Sequence, residues 1–174
     1  MNEFKVHVYL FIIPGSIGNV AHMIVVKKNL LSFLAKPIST EMFGNNKTFR
    51  GFVFLPIAIG AVCLLESAFS GPFSKNYLND FLIGVGLGLA YMIAELPNSF
   101  LKRRQGIAPG ESAGNSRFFQ LVIDKADSLI GACIFYFFAM KTGFRDIAIL
   151  FTVSFFLHVS ISYLLVIMKL KKSI

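Results

Sequence analysis

Long apolar stretches alternate with short polar ones along the whole chain, near 6–26, 51–70, 78–97, 122–140 and 146–168. Each is about 20 residues long, which at about 1.5 Å of rise per helical residue matches the hydrocarbon core of a bilayer. The pattern predicts an all-α, polytopic membrane protein with five transmembrane helices, forming one domain over 1–174. The first stretch reads as a span and not as a secretory signal. Only Lys5 precedes it, Pro14, Gly15 and Asn19 interrupt it, and basic residues follow.

Composition agrees. The chain is 55% hydrophobic and only 15% charged, too little charge for an ordinary soluble domain. Cys63 and Cys133 both fall in apolar stretches, where a thiol behaves as a small hydrophobe, so neither a disulfide framework nor a metal-binding spacing is present. The many Phe residues read as lipid-facing bulk, and His7, His22 and His158 as isolated side chains on apolar spans without an assigned role.

The formal charge of +8 matters through its distribution. Lys27, Lys28, Lys36, Lys47 and Arg50 occupy the first connection, Lys102, Arg103, Arg104 and Arg117 the third, and Lys169, Lys171 and Lys172 the tail. The second connection has only Lys75 and the fourth Lys141 and Arg145. Short cytoplasmic loops carry the excess of Lys and Arg, so the N-terminus is expected outside, the C-terminus in the cytoplasm, and both long polar loops on the cytoplasmic face of the cell membrane. Nucleic-acid binding is not expected, because the basic residues are split among membrane loops and form no known module.

Those two loops carry more than topology-setting charge. The stretch FGNNKTFRGF (43–52) combines Gly44 and Gly51 with Asn45, Asn46, Lys47, Thr48 and Arg50. Glycines allow close backbone approach, and the cationic groups suit phosphate oxygens, but the spacing is not that of a Walker A loop. A tight turn before the second span is the plainer alternative.

In the second loop, Glu95 ends a span whose Gly84 and Gly88 permit close packing, either within the bundle or against a second copy in a homodimer. Pro97, the cluster Lys102, Arg103 and Arg104, and the flexible stretch GIAPGESAGNS follow. An intramembrane Glu is either functional or snorkels to the interface.

Asp124 and Asp127 stand three apart, so on a helix they share a face, whereas Lys125 points about 100° away. Neighbouring carboxylates at low dielectric repel unless a cation offsets them. Hard oxygen donors with no His or Cys nearby suggest Mg2+, which usually bridges protein carboxylates to substrate phosphates. Interfacial hydration or helix capping is the alternative.

Together, NNKTFRG (45–51), SFLKRR (99–104) and DKAD (124–127) resemble the CTP-dependent lipid cytidylyltransferases, and within them the small five-span branch typified by CDP-archaeol synthase. The likeness extends from about residue 14 to 140. It implies an enzyme, a nucleotidyltransferase of phospholipid biosynthesis, that joins CTP to a phosphorylated membrane lipid and releases pyrophosphate. By this resemblance Glu95, Asp124 and Asp127 hold Mg2+, with Asp124, Asp127 and Lys102 as catalytic groups. Asn46, Lys47, Thr48, Arg50, Ser99 and Arg103 bind the phosphates of CTP. Glu95 stands where the family usually has Asp, and Lys125 where the archaeal form has Gln. A CTP-dependent lipid kinase and a non-enzymatic transporter or scaffold are the competing readings.

Overall fold

The computed structural model describes residues 3–108 and 117–168; the side chains of Glu3 and of residues 117–121 also lie outside the description. The segment 109–116, which holds most of the flexible stretch, and the basic tail with Lys169, Lys171 and Lys172 fall outside it too.

All regular structure among the described residues is helical. Helix α1 (Glu3–His7), a π-helical stretch (Val8–Ile12) and α2 (Ile13–Lys27) follow one another without a break. The π stretch ends just before Pro14, whose missing N–H would otherwise serve the carbonyl of Leu10. The thiol of Cys63 approaches that carbonyl instead, at 3.9 Å. A 3-10 turn (Ser32–Leu34) and the short α3 (Thr40–Phe43) lead to the long helices α4 (Phe49–Ser70), α5 (Tyr77–Arg104), α6 (Arg117–Met140) and α7 (Phe144–Ile167).

Four helical runs, Phe4–Lys27, Phe49–Ser70, Tyr77–Arg104 and Phe144–Ile167, are long and apolar enough to cross a membrane. The stretch expected to be a fifth span forms a helix, α6, 24 residues long. It does not join the four, because every 18-residue stretch of it contains Asp124, Lys125 and Asp127. The sequence also placed residues beyond 97 in a loop. Instead α5 continues through Pro97 to Arg104, so the whole Ser-x-x-Lys-Arg element is helical. One proline removes one backbone hydrogen bond, and Lys102, Arg103 and Arg104 in the last turn complement the helix dipole.

Close packing fixes the register of the bundle. A Cβ on Gly84 would lie 2.7 Å from the Cα of Gly60, and one on Gly88 2.5 Å from the Cα of Pro56. The small-residue face of α5 therefore packs inside the molecule, backbone to backbone with α4. Gly131 does the same for α6, since a Cβ there would sit 2.6 Å from the carbonyl oxygen of Ala90. Large apolar side chains such as Phe69, Phe138, Phe144 and Phe156 cover the outside.

Candidate active site

The residues at 95, 98 and 102 recur at helical spacing on α5, and those at 124, 127 and 128 on α6. The Gly131 contact sets these two polar faces against each other. A continuous chain of side chains results. Lys102 pairs with the carboxylate of Asp124. The amide nitrogen of Asn98 donates to Asp124 Oδ1 at 2.7 Å and to Asp127 Oδ2 at 2.8 Å. The Ser128 hydroxyl lies 3.0 Å from Asp127 Oδ1 and 2.9 Å from Glu95 Oε1, and its single proton serves one of them at a time. Glu95 Oε2 completes the chain by pairing with Lys47, carried in from the loop before α4.

That loop is held in place by backbone bonds. Ile38 donates to the Lys47 carbonyl at 2.9 Å and Phe49 to the Lys36 carbonyl at 3.1 Å, around an antiparallel bridge between Pro37 and Thr48. Thr48 is the N-cap of α4 in extended conformation, with no side-chain capping bond, and Asn46 is exposed in the adjoining turn. Arg50 is buried, and its Nη1 reaches Asn29 Oδ1 at 3.3 Å and the Leu30 carbonyl at 3.1 Å. It thereby fastens a turn in which Asn29 and Leu31 both adopt positive φ.

The remaining expected residues divide by what their polar atoms touch. Ser99 donates to the Glu95 carbonyl at 2.9 Å, one turn back on its own helix. Arg103 differs, because its Nε and Nη1 are buried without a hydrogen-bond partner among the described residues, as is Nε of Arg50. Buried guanidinium donors left unpaired are costly, and an anion with several oxygens satisfies them. Lys125 points away from the carboxylates, as its position on the helix requires, and Nζ donates to Ser162 of α7 at 2.9 Å.

Three carboxylates face two ammonium groups along this chain, which leaves a surplus of negative charge at the centre. Asp124 and Asp127 both direct an oxygen at the nitrogen of Asn98. Two convergent hard donors of this kind fit Mg2+, which takes one or two carboxylates and completes its shell with water and phosphate. Glu95, the third acid expected at the metal, stands further along the same chain of side chains. Among the described residues no three acidic, His or Cys side chains form a group that could hold a metal ion. Lys47 and Ser128 occupy the two Glu95 oxygens.

Asn98 and Ser128 were missed in the sequence, although both stand at helical spacing from residues that were found. Asn98 is three after Glu95 and four before Lys102, and Ser128 directly follows Asp127.

Comparison with known proteins places these residues in context. A family model described as CarS-like, CDP-archaeol synthase, matches residues 1–174. A CDP-archaeol synthase from Staphylothermus marinus is 33% identical over 99 residues, covering 56% of this chain and 48% of that protein. The match thus spans about half the length of that relative. No solved structure matches.

Proposed function

The chain belongs to the CarS-like CDP-archaeol synthase family, and on that premise we propose that it is a CTP-dependent cytidylyltransferase that converts a phosphorylated membrane lipid into a CDP-lipid. The observation that carries this reading is the unbroken run Lys102–Asp124–Asn98–Asp127–Ser128–Glu95–Lys47, together with guanidinium donors of Arg103 and Arg50 that have no hydrogen-bond partner among the described residues. Acids and cations interleaved in this way suit a metal-bound triphosphate beside a second phosphate.

In the reaction, an oxygen of the lipid phosphomonoester attacks the α-phosphorus of CTP, the new P–O bond forms, and the bond to pyrophosphate breaks. The lipid phosphate is already anionic near neutral pH, so no general base is required. The protein supplies position and charge. Lys102 and Arg103, on the last turn of α5, and Lys47 and Arg50, from the loop before α4, clamp phosphate oxygens, with Asn46, Thr48 and Ser99 lining the same approach. Asp124 and Asp127 would hold Mg2+. Glu95 is the third carboxylate available once Lys47 turns to a phosphate. Held there, such an ion would supply charge neutralisation to the reacting phosphates.

The same reading makes α6 a fifth span, the whole chain one domain, and the site cytoplasmic in a multi-pass protein of the cell membrane. The Lys and Arg of the first and third connections support that orientation. A lipid kinase starts from an alcohol and benefits from a base. Membranes supplied with CTP labelled at the α or the γ phosphate separate the two reactions. The expected result is α label in the lipid product with release of labelled pyrophosphate from γ-labelled CTP. Transfer of γ label alone into lipid would establish a kinase and overturn this reading.

A further inference from the structure

The helical run Phe4–Lys27 has 24 residues, about 36 Å at about 1.5 Å per residue, slightly more than the hydrocarbon core of a bilayer. Lys27 therefore stands at the level of the headgroups. Beyond it the chain turns apolar again, with Leu30, Leu31, Phe33 and Leu34 before Lys36. This turn has a defined backbone. Asn29 takes a φ of 50°, its N–H bonds to the Val26 carbonyl at 3.1 Å, and the N–H of Leu30 bonds to the Val25 carbonyl at 2.9 Å. That pair of bonds across a left-handed residue is the Schellman ending of a helix. Leu34 and Ala35 then close a 3-10 turn onto the carbonyls of Leu31 and Ser32, each at 3.0 Å. Leu31 itself has a φ of 52°, a conformation that a bulky side chain rarely adopts unless its surroundings impose it.

None of this buries the apolar side chains. Among the described residues Leu30 is 49% exposed, Leu31 38% and Phe33 70%, and Lys27, Lys28 and Lys36 are exposed around them. Arg50, the second residue of α4, sets the depth of the turn. Its Nη1 holds the Leu30 carbonyl and Asn29 Oδ1, so the turn lies level with the first turn of α4, itself a helix long and apolar enough to span. An apolar turn fixed where one spanning helix ends and the next begins lies against the bilayer surface and not out in water. Backbone groups bonded within the turn are what that poorly hydrated layer requires.

We propose that residues 27–36 form an interfacial anchor for anionic lipid: Leu30, Leu31 and Phe33 enter the acyl chains just below the headgroups, and Lys27, Lys28 and Lys36 hold the negative charge of the headgroups. Charge complementarity selects this occupant. A second copy docked on the same face would bring its own lysines against these, whereas an anionic leaflet offers acyl chains and negative charge in the layered order of the apolar residues and lysines. Arg50 ties the turn to the loop that carries Lys47 and Thr48, so the anchor gathers lipids with anionic headgroups beside that loop. The anchor depends on the membrane setting and not on nucleotidyl transfer, and it stands or falls separately from the labelling experiment.

The chain contains no Trp, so Phe33→Trp in the full-length protein supplies a single fluorescent reporter, at a side chain exposed enough to be replaced without repacking. In vesicles of zwitterionic lipid brominated near the headgroup, its emission should fall about twofold or more against unbrominated vesicles, while aqueous iodide quenches it about threefold less than free tryptophan amide. Phe156→Trp, on the outer surface of α7, confirms insertion through quenching by lipid brominated deeper in the acyl chain. A minor share of brominated anionic lipid should quench the Phe33→Trp reporter about twofold more than the same share of brominated zwitterionic lipid. That preference should vanish at about 1 M salt, and in the triple variant Lys27→Gln, Lys28→Gln, Lys36→Gln. Strong iodide quenching with no bromine effect would put the turn in water, and shielding from both quenchers would put protein over it. Either result overturns the proposal, as does equal quenching by the two lipids.

Discussion

The side-chain amide of Asn98 is shared between two carboxylates, with Asp124 Oδ1 at 2.7 Å and Asp127 Oδ2 at 2.8 Å from one nitrogen. Each hydrogen bond to a charged acceptor contributes about 1.5–3 kcal/mol. Asn98→Leu keeps the volume but leaves both acids without this donor. The turnover number is expected to fall at least about tenfold, with a higher Mg2+ requirement, in initial rates measured across a Mg2+ titration. A wild-type Mg2+ dependence in this variant would remove Asn98 from the site.

Lys47 and Glu95 couple the loop before α4 to helix α5. Removing either one strands the other in a half-buried setting. A double-mutant cycle with Lys47→Met and Glu95→Gln, followed by thermal unfolding, should give an interaction energy of about 1–3 kcal/mol. Both single variants should also lose CTP-dependent lipid labelling. Strict additivity would mean that the pair does not hold the loop.

Metal removal gives a separate check. Chelation should abolish lipid labelling and added Mg2+ should restore it. Asp124→Asn and Asp127→Asn should each lose activity by about a hundredfold or more, as expected when a metal-holding oxygen is replaced. Full activity in both variants would end the metal assignment.

Gly88 tests whether helix contact, remote from the acids, sets their geometry. A Cβ at this position would stand 2.5 Å from the Cα of Pro56, and backbone atoms cannot rotate away. Gly88→Ala should destabilise the bundle by about 1–3 kcal/mol and lower activity with it. The readout is the melting temperature in detergent beside the labelling rate.

Asp80 should behave in the opposite way to the acids of the site. It is fully buried and accepts from Ser67 Oγ at 2.6 Å, from the Phe73 N–H at 2.8 Å and from the Ser74 N–H at 2.9 Å, with the Ser74 hydroxyl also bonded to it. It thus closes the connection between α4 and α5. Asp80→Asn should cost about 2–4 kcal/mol of stability, yet leave KM for CTP and for Mg2+ unchanged in the folded fraction.

What the sequence disclosed, and what it did not, follows from the range of each interaction. The three-residue step from Asp124 to Asp127 dictates a shared face, and the structure has both carboxylates on the face that meets α5. The same periodicity turned Lys125 aside, but its partner Ser162 lies 37 residues away, a distance that periodicity within one helix cannot bridge. Pro97 suggested a break. Helix α5 nonetheless carries Asn98, Ser99 and Lys102 one full turn and more beyond it, because a lost backbone bond is a small local cost beside the packing of α5 on α4 and α6. Asn98 and Ser128 escaped notice because their importance comes only from the charged groups of the facing helix, which no pattern within one helix shows.

The three charged residues that keep α6 from matching the other long helices bear on how the protein is made. A charge at the centre of a helix opposes its insertion by about 2.5–3.5 kcal/mol on the translocon scale, and less towards the ends. Entering by itself, α6 would carry Asp124, Lys125 and Asp127 into lipid unpartnered. Beside α5 and α7, Asn98, Lys102 and Ser162 answer all three. On the five-span reading, the insertion of this helix is therefore tied to that of its neighbours.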